Sequence, residues 1–182
     1  VVKMLEGAGL NRFLTLDIHS LQVLDYFGIP SQNISALPFI VEHIIKTNSL
    51  SKKNLILISA DQDGAFRVKD AARITGIAHG FVQKERDLNA VDTLKTTHGH
   101  DVEGEVKDKD VIILDDMIST GETLVAASEK LKQHGARRIF AGATHGIFSK
   151  DPQVVFGGST IEKVVITDTV DQEIKSDKVI RI

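Results

Sequence analysis

The sequence predicts an α/β protein built on a doubly wound, mainly parallel sheet, and three observations predict it. Runs of Val, Ile and Leu at residues 55–58, 111–114 and 164–167 are almost uninterrupted by polar side chains, the pattern of strands buried on both faces. Segments with apolar residues at helical spacing lie between them, which is the order of a parallel sheet covered by helices. Glycine and proline fall at the junctions, at Gly28, Pro30, Pro38, Gly135 and Pro152.

Taken in order, residues 13–17 read as a first buried strand, followed by a short helix over 21–27 that Gly28 and Pro30 end. Pro38 at a helix start introduces a helix over 39–46, since its missing N–H is no loss there. A strand over 55–58, a helix over 64–74 and a third strand over 77–82 follow. Residues 84–104 are polar and mixed and read as a flexible loop or hairpin, a length that usually serves function. Then come the strand 111–114, a helix 122–133 closed by Gly135, and strands over 138–143, 164–167 and 179–182. The expectation is one doubly wound domain. Residues 1–9 look like the last turns of an amphipathic helix closed by glycine, and residues 178–182 stop inside a strand-like run, so both ends read as cut.

Composition narrows the function classes. The chain has 182 residues, 42% apolar and 26% charged, which is ordinary for a globular domain with a substantial core. A net charge of −3 argues against a nucleic-acid partner. No apolar run approaches the roughly 20 residues that span a bilayer, and there is no signal-peptide pattern. Zero cysteines exclude disulfides and thiolate metal sites and suit a cytoplasmic protein.

The most informative stretch is 111–124, where four apolar residues run into Asp115 and Asp116, then Ser119, Thr120, Gly121 and Thr123 at a helix start. Carboxylates at the carboxyl end of a buried strand sit where open α/β sheets bind ligands. The turn adds hydroxyls and helix N-terminal N–H groups, which suit phosphate. Acceptors for hydroxyls beside donors for phosphate are what a sugar phosphate needs, although Ser119 or Thr120 alone would also serve as a helix cap. His19 after the first strand and Asp61 after the second bring further polar groups to the same edge, where Mg²⁺ bound to a nucleotide would fit oxygen ligands. Lys84 and Arg86 open the long segment, and cations beside a phosphate site assist phosphoryl-type transfer. There is no Walker A sequence.

The string Asp115-Asp116-Met117-Ile118-Ser119-Thr120-Gly121-Glu122-Thr123 resembles the phosphoribosyl-pyrophosphate (PRPP) signature of type I phosphoribosyltransferases and their relatives. Across nearly the whole chain, in order, the sequence is similar to the ribose-phosphate pyrophosphokinase (PRPP synthetase) family. The similarity rests on Asp17-Ile18-His19-Ser20, the string from Ser59 to Arg67, Lys84-Glu85-Arg86, the string from Thr144 to Ser149, and Thr167-Asp168-Thr169. That resemblance implies a phosphoribosyltransferase-like fold and transfer of the diphosphoryl group of ATP to ribose 5-phosphate, giving PRPP and AMP. It implies that Asp115 and Asp116 hold the ribose hydroxyls and that Ser119, Thr120, Gly121 and Thr123 bind the 5-phosphate. It further implies His19 and Asp61 on Mg²⁺–ATP, Lys84 and Arg86 on the transferring group, and self-association into a homo-oligomer. On the same footing, residues 1–182 are expected to be the C-terminal domain of a two-domain protein. A PRPP-consuming phosphoribosyltransferase and a non-catalytic regulatory homologue are the alternatives. The first would need an aromatic base-recognising hood, and aromatic residues are only 5% of the chain.

Overall fold

A computed structural model describes residues 1–83 and 102–182. The described chain falls into two compact units, residues 1–36 and 37–182.

The first unit holds helix α1 (Val2–Gly7), strand β1 (Phe13–Leu16), a 3-10 turn (Leu21–Tyr26) and strand β2 (Ser31–Ile34). The expected buried first strand is here a partly exposed one. β1 pairs in parallel with β2, from Phe13 opposite Ser31 to Leu16 opposite Ile34, in a two-stranded sheet of its own. A two-stranded sheet leaves one edge of each strand unpaired, and β1 is only partly buried there. Phe13 stacks on Phe27 with ring centroids 4.4 Å apart. Glu6 is hydrogen-bonded by Lys3 and by the Gly28 N–H, and those bonds hold its carboxyl below the usual range. The buried Asp17 closes β1 in a left-handed conformation at φ 39°, and its Oδ2 accepts from Ala36 N at 2.7 Å.

The second unit contains α2 (Leu37–Asn48), β3 (Leu55–Ser59), α3 (Ala65–Thr75), β4 (Ala78–Val82), β5 (Val102–Glu103) and β6 (Asp110–Ile118). It continues with α4 (Glu122–Gln133), β7 (Arg138–Gly146), α5 (Pro152–Gly157), β8 (Ile161–Ile166) and β9 (Val179–Arg181). Seven strands form one sheet in the order β5-β4-β3-β6-β7-β8-β9, parallel throughout except for the antiparallel β4–β5 pair. That pair, Phe81 opposite Glu103 and Val82 opposite Val102, brings together the two flanks of the segment expected to be a loop or hairpin; residues 84–101 lie outside the described residues.

Period-2 alternation divides the core in two, as a pleated strand requires. Ile56, Ile58, Val111, Ile113, Ile139 and Ala141 face the side packed by α4 and by Phe156 of α5. Leu55, Leu57, Ile112, Leu114 and Phe140 face the side packed by α2 and α3. The sheet is therefore covered on both faces and the chain is of the expected α/β class. From β3 the chain crosses to β4 on one side, whereas from β6 it crosses to β7 on the other. The strand order thus reverses between β3 and β6, and a crevice outside the carboxyl ends is the ligand position of such sheets.

Asp110, fully buried at the amino end of β6, accepts paired hydrogen bonds from Arg137 (2.9 and 2.6 Å) and Arg138 (3.1 and 2.9 Å). Burial disfavours its charge, but the two guanidiniums outweigh that and keep its pKa below the ordinary carboxylate value. Asp110→Asn is expected to lower stability at pH 7 by about 1–3 kcal/mol, the cost of disrupting a charge-assisted network. A depressed folded pKa means that this stabilisation is present above the unfolded pKa and is lost as pH falls through the folded one. Urea unfolding at pH 7 and pH 3 should show the gap between the two proteins closing in acid.

Candidate active site

β6 does not stop at Leu114 as its apolar run predicts. Pairing with β7 continues through Asp115 opposite Ala143, Met117 opposite His145 and Ile118 opposite Gly146. The acids thus lie within the strand near its carboxyl end, and alternation gives them different surroundings. Asp115 is partly exposed, while Asp116 is 1% exposed. Asp116 N–H donates to Asp115 Oδ1 at 2.9 Å, and Arg67 Nη1 lies 3.4 Å from Asp116 Oδ1.

After β6 the chain turns at Ser119, Thr120 and Gly121 into α4. A cavity of about 120 Å³ opens there, lined by Asp115, Met117, Ser119, Thr120, Gly121 and Thr123 among others. It is well below the roughly 300–1,000 Å³ of pockets that enclose a drug-sized ligand, so it suits one small polar group. Gly121 at φ +85° occupies a region that favours glycine, and a Cβ there would stand 2.6 Å from Phe156 Cζ. Glycine is therefore required both by the turn and by α5 behind it. Thr120 Oγ1 accepts from Glu122 N at 3.3 Å, but the N-cap of α4 is Gly121 and not Ser119 or Thr120. The turn is braced from β7's end, because Ile147 and Phe148 N–H groups donate to Ile118 O and Ser149 N–H donates to Ser119 O. Ser119 and Ser149 hydroxyls lie 3.4 Å apart.

Asp115 has its pKa raised to about 7. Burial is the main cause, the adjacent Asp116 carboxyl adds to it, and the charge of Asp61 raises it further. Asp61, in the loop after β3, accepts from Gly64 N at 3.0 Å and acts on the same site. The three acids share one electrostatic environment across the β3–β6 reversal.

Of the residues expected from sequence, Asp115, Ser119, Thr120, Gly121 and Thr123 line one cavity, with Asp116 buried beside Asp115 and Asp61 acting on it. His19 is exposed in the first unit, following β1. Lys84 and Arg86 lie outside the described residues. Among the described residues no group of three or more His, Cys, Asp or Glu has the arrangement of a metal cage. Mg²⁺ is usually held by one or two carboxylates together with substrate phosphates and water, and the acids at the β3 and β6 ends fit that donor set.

Two features were not assigned from sequence. Arg67 was legible only as part of the string after β3. The other is a hydroxyl chain linking the Thr144–Ser149 and Thr167–Thr169 strings: Thr167 and Thr169 Oγ1 both donate to Thr144 O, at 2.6 and 3.0 Å. Thr169 Oγ1 also lies 2.8 Å from His145 Nδ1, which joins the ring to the chain of hydroxyls.

Residues 68–182 match the family described as the phosphoribosyl synthetase-associated domain. The chain belongs to this family. It is 37% identical over 171 residues to the ribose-phosphate pyrophosphokinase of Aquifex aeolicus, covering 93% of this chain and 52% of that protein. To the enzyme of the same name from Haemophilus influenzae it is 34% identical over 184 residues, covering 100% of this chain and 56% of the relative. This family member therefore spans about half the length of the curated relatives it matches. The crystal structure of phosphoribosylpyrophosphate synthetase from Mycobacterium smegmatis superimposes with a TM-score of 0.81 at 23% identity, over 100% of this chain and 57% of that one, and shows the fold to be shared. No helix among the described residues is long and apolar enough to cross a membrane.

The raised pKa of Asp115 carries a stability consequence. Its folded pKa lies above its unfolded value of 3.8, so stability present in acid is lost as pH rises from about 4 to about 7. Asp115→Asn is expected to stabilise the fold at pH 8 by on the order of 2 kcal/mol and to be neutral at pH 4, a gain where a polar site carries strain. Unfolding midpoints at the two pH values measure the difference.

Proposed function

We propose that this chain carries the sugar-phosphate site of a ribose-phosphate pyrophosphokinase, transferring the β,γ-diphosphoryl group of ATP to ribose 5-phosphate. The observation that carries the reading is the cavity at the end of β6, where Asp115 lines the space as an acceptor for hydroxyls and the Ser119–Thr123 turn offers hydroxyls and helix N–H groups to a phosphate. Its position at the strand-order reversal, and the names of the relatives, support the same reading.

In this proposal the anomeric hydroxyl oxygen of ribose 5-phosphate attacks the β-phosphorus. The bond from the β-phosphorus to the α,β-bridging oxygen breaks, AMP leaves, and the proton of that hydroxyl passes to solvent or a nearby base. Asp115 and Asp116 hold the ribose hydroxyls, since vicinal hydroxyls are good donors to carboxylates. Ser119, Thr120, Gly121 and Thr123 receive the 5-phosphate, and Lys84 and Arg86 neutralise charge on the transferring group. His19 and Asp61 contact Mg²⁺–ATP, where the ion would offset phosphate charge. A cytoplasmic homo-oligomer belongs to the same proposal, as does a two-domain protein in which residues 1–182 form the C-terminal half. Exposure of Met4, Leu14, Tyr26 and Ile34 in the first unit supports a further packing partner for it.

AMP release from ATP by the intact protein, measured with and without ribose 5-phosphate, tests the reaction. Release that depends on the sugar phosphate is expected. Equal release in both arms, or none, would count against the enzyme and favour the non-catalytic homologue. Lys84→Ala is expected to lower kcat by about 100-fold with substrate KM changed by less than about threefold, because a charge acting on the transferring group matters most in the transition state. Steady-state kinetics in which the loss falls on KM alone would remove Lys84 from that role.

A further inference from the structure

Asp116 presents a physical problem that the cavity does not solve. Its side chain is 2% exposed, and a carboxylate out of water is costly unless a cation and hydrogen bonds compensate it. Arg67 stands 3.4 Å away with its own side chain only 9% exposed, so the two charges are buried together. Arg67 belongs to the first turn of α3, the helix that leaves β3, whereas Asp116 belongs to β6. β3 and β6 are neighbours in the sheet, so the pair joins the two strands across the strand-order reversal.

The packing around Gly64 shows how closely Arg67 approaches the other acid of the site. A Cβ on Gly64 would lie 3.6 Å from Asp61 Oδ1 and 3.8 Å from Arg67 Nη1, and 2.7 Å from Ser59 Oγ. The guanidinium and the Asp61 carboxylate therefore pass over the same bare glycine. Arg67 also sets its guanidinium carbon 4.6 Å from the centroid of the Phe66 ring, a contact that limits its freedom.

We infer that Arg67 is a positioning residue for the sugar-phosphate site, acting through Asp116 to fix the end of β6 so that Asp115 faces the cavity. The inference rests on the ribose 5-phosphate reading above and goes beyond it, since Arg67 lines no part of the cavity. Substrate geometry depends on it because Asp115 and Asp116 are consecutive. Asp116 N–H is bonded to Asp115 Oδ1, so a rotation of one residue displaces the other's carboxylate. Arginine rather than lysine suits the position, because a planar fork engages a buried carboxylate in a defined orientation.

The test is a double-mutant cycle in the intact protein, with Arg67→Gln, Asp116→Asn and the pair combined, read by calorimetric titration with ribose 5-phosphate and by unfolding midpoint. Arg67→Gln is expected to weaken binding about tenfold, and to add less than about twofold once Asp116→Asn is present, the non-additivity of residues acting as a unit. Arg67→Lys should recover part of the loss. Binding by Arg67→Gln within about twofold of the unaltered protein overturns the inference, as does an additive loss in the double variant, which would mean that Arg67 acts without Asp116. If Arg67→Gln does not fold, folding of the double variant still supports the pairing, because both buried charges are then gone; failure of both overturns it. An unaltered protein that does not bind ribose 5-phosphate defeats the functional reading instead. The unfolding midpoints then decide the pairing alone, coupled values sustaining it and additive values ending it.

Discussion

The double-sided burial of β6 is the constraint on which the rest of the second unit depends. Its residues from Val111 to Leu114 are at most 1% exposed and alternate between two apolar layers. A strand so enclosed has no lateral route to water, so any polar chemistry it carries is confined to its ends. The helices that enclose it also fix where those ends lie. α3 leaves β3 and α4 leaves β6 with their N-termini at the same edge, so the edge receives both acids and helix N–H groups.

The small cavity follows from this arrangement together with one close approach. Phe156 of α5 occupies the space behind Gly121, which fixes the turn from outside, while the 147–149 backbone ties it from the β7 side. The hydroxyls and N–H groups of the turn are therefore preorganised by neighbours that do not themselves line the cavity. A site built this way loses little entropy when a small anion enters, the benefit of a preformed binding geometry.

Much of the fold was legible because burial on two faces leaves a compositional trace. β3, β6 and α4 carry that trace and lie close to where the apolar pattern puts them. β2 does not: Ser31-Gln32-Asn33-Ile34 has neither a continuous apolar run nor a clear alternation, and its pairing with β1 is set by neighbours distant in the chain. α5 spans six residues, too short to show helical periodicity, and its start depends on the Asp151 cap. In the site, Asp115 and the 119–123 turn were legible because strand, acid and helix start are contiguous. Arg67's partner lies in another strand, and no local spacing rule connects them. The unequal surroundings of Asp115 and Asp116 were likewise hidden, since the strand continues past the point where its apolar run stops.

The Arg137–Asp110–Arg138 cluster gives β6 a charge asymmetry along its length. At the amino end one carboxylate meets two guanidiniums, a local surplus of positive charge. At the other end Asp115 and Asp116 sit together with Arg67 paired to the second, and Asp61 adds its charge to the neighbourhood. The strand is thus anchored by two guanidiniums at one tip and carries a pair of acids at the other. Stability therefore answers to pH in opposite senses at the two tips of β6: acid costs the Asp110 end its ion pairs, while rising pH charges the buried Asp115.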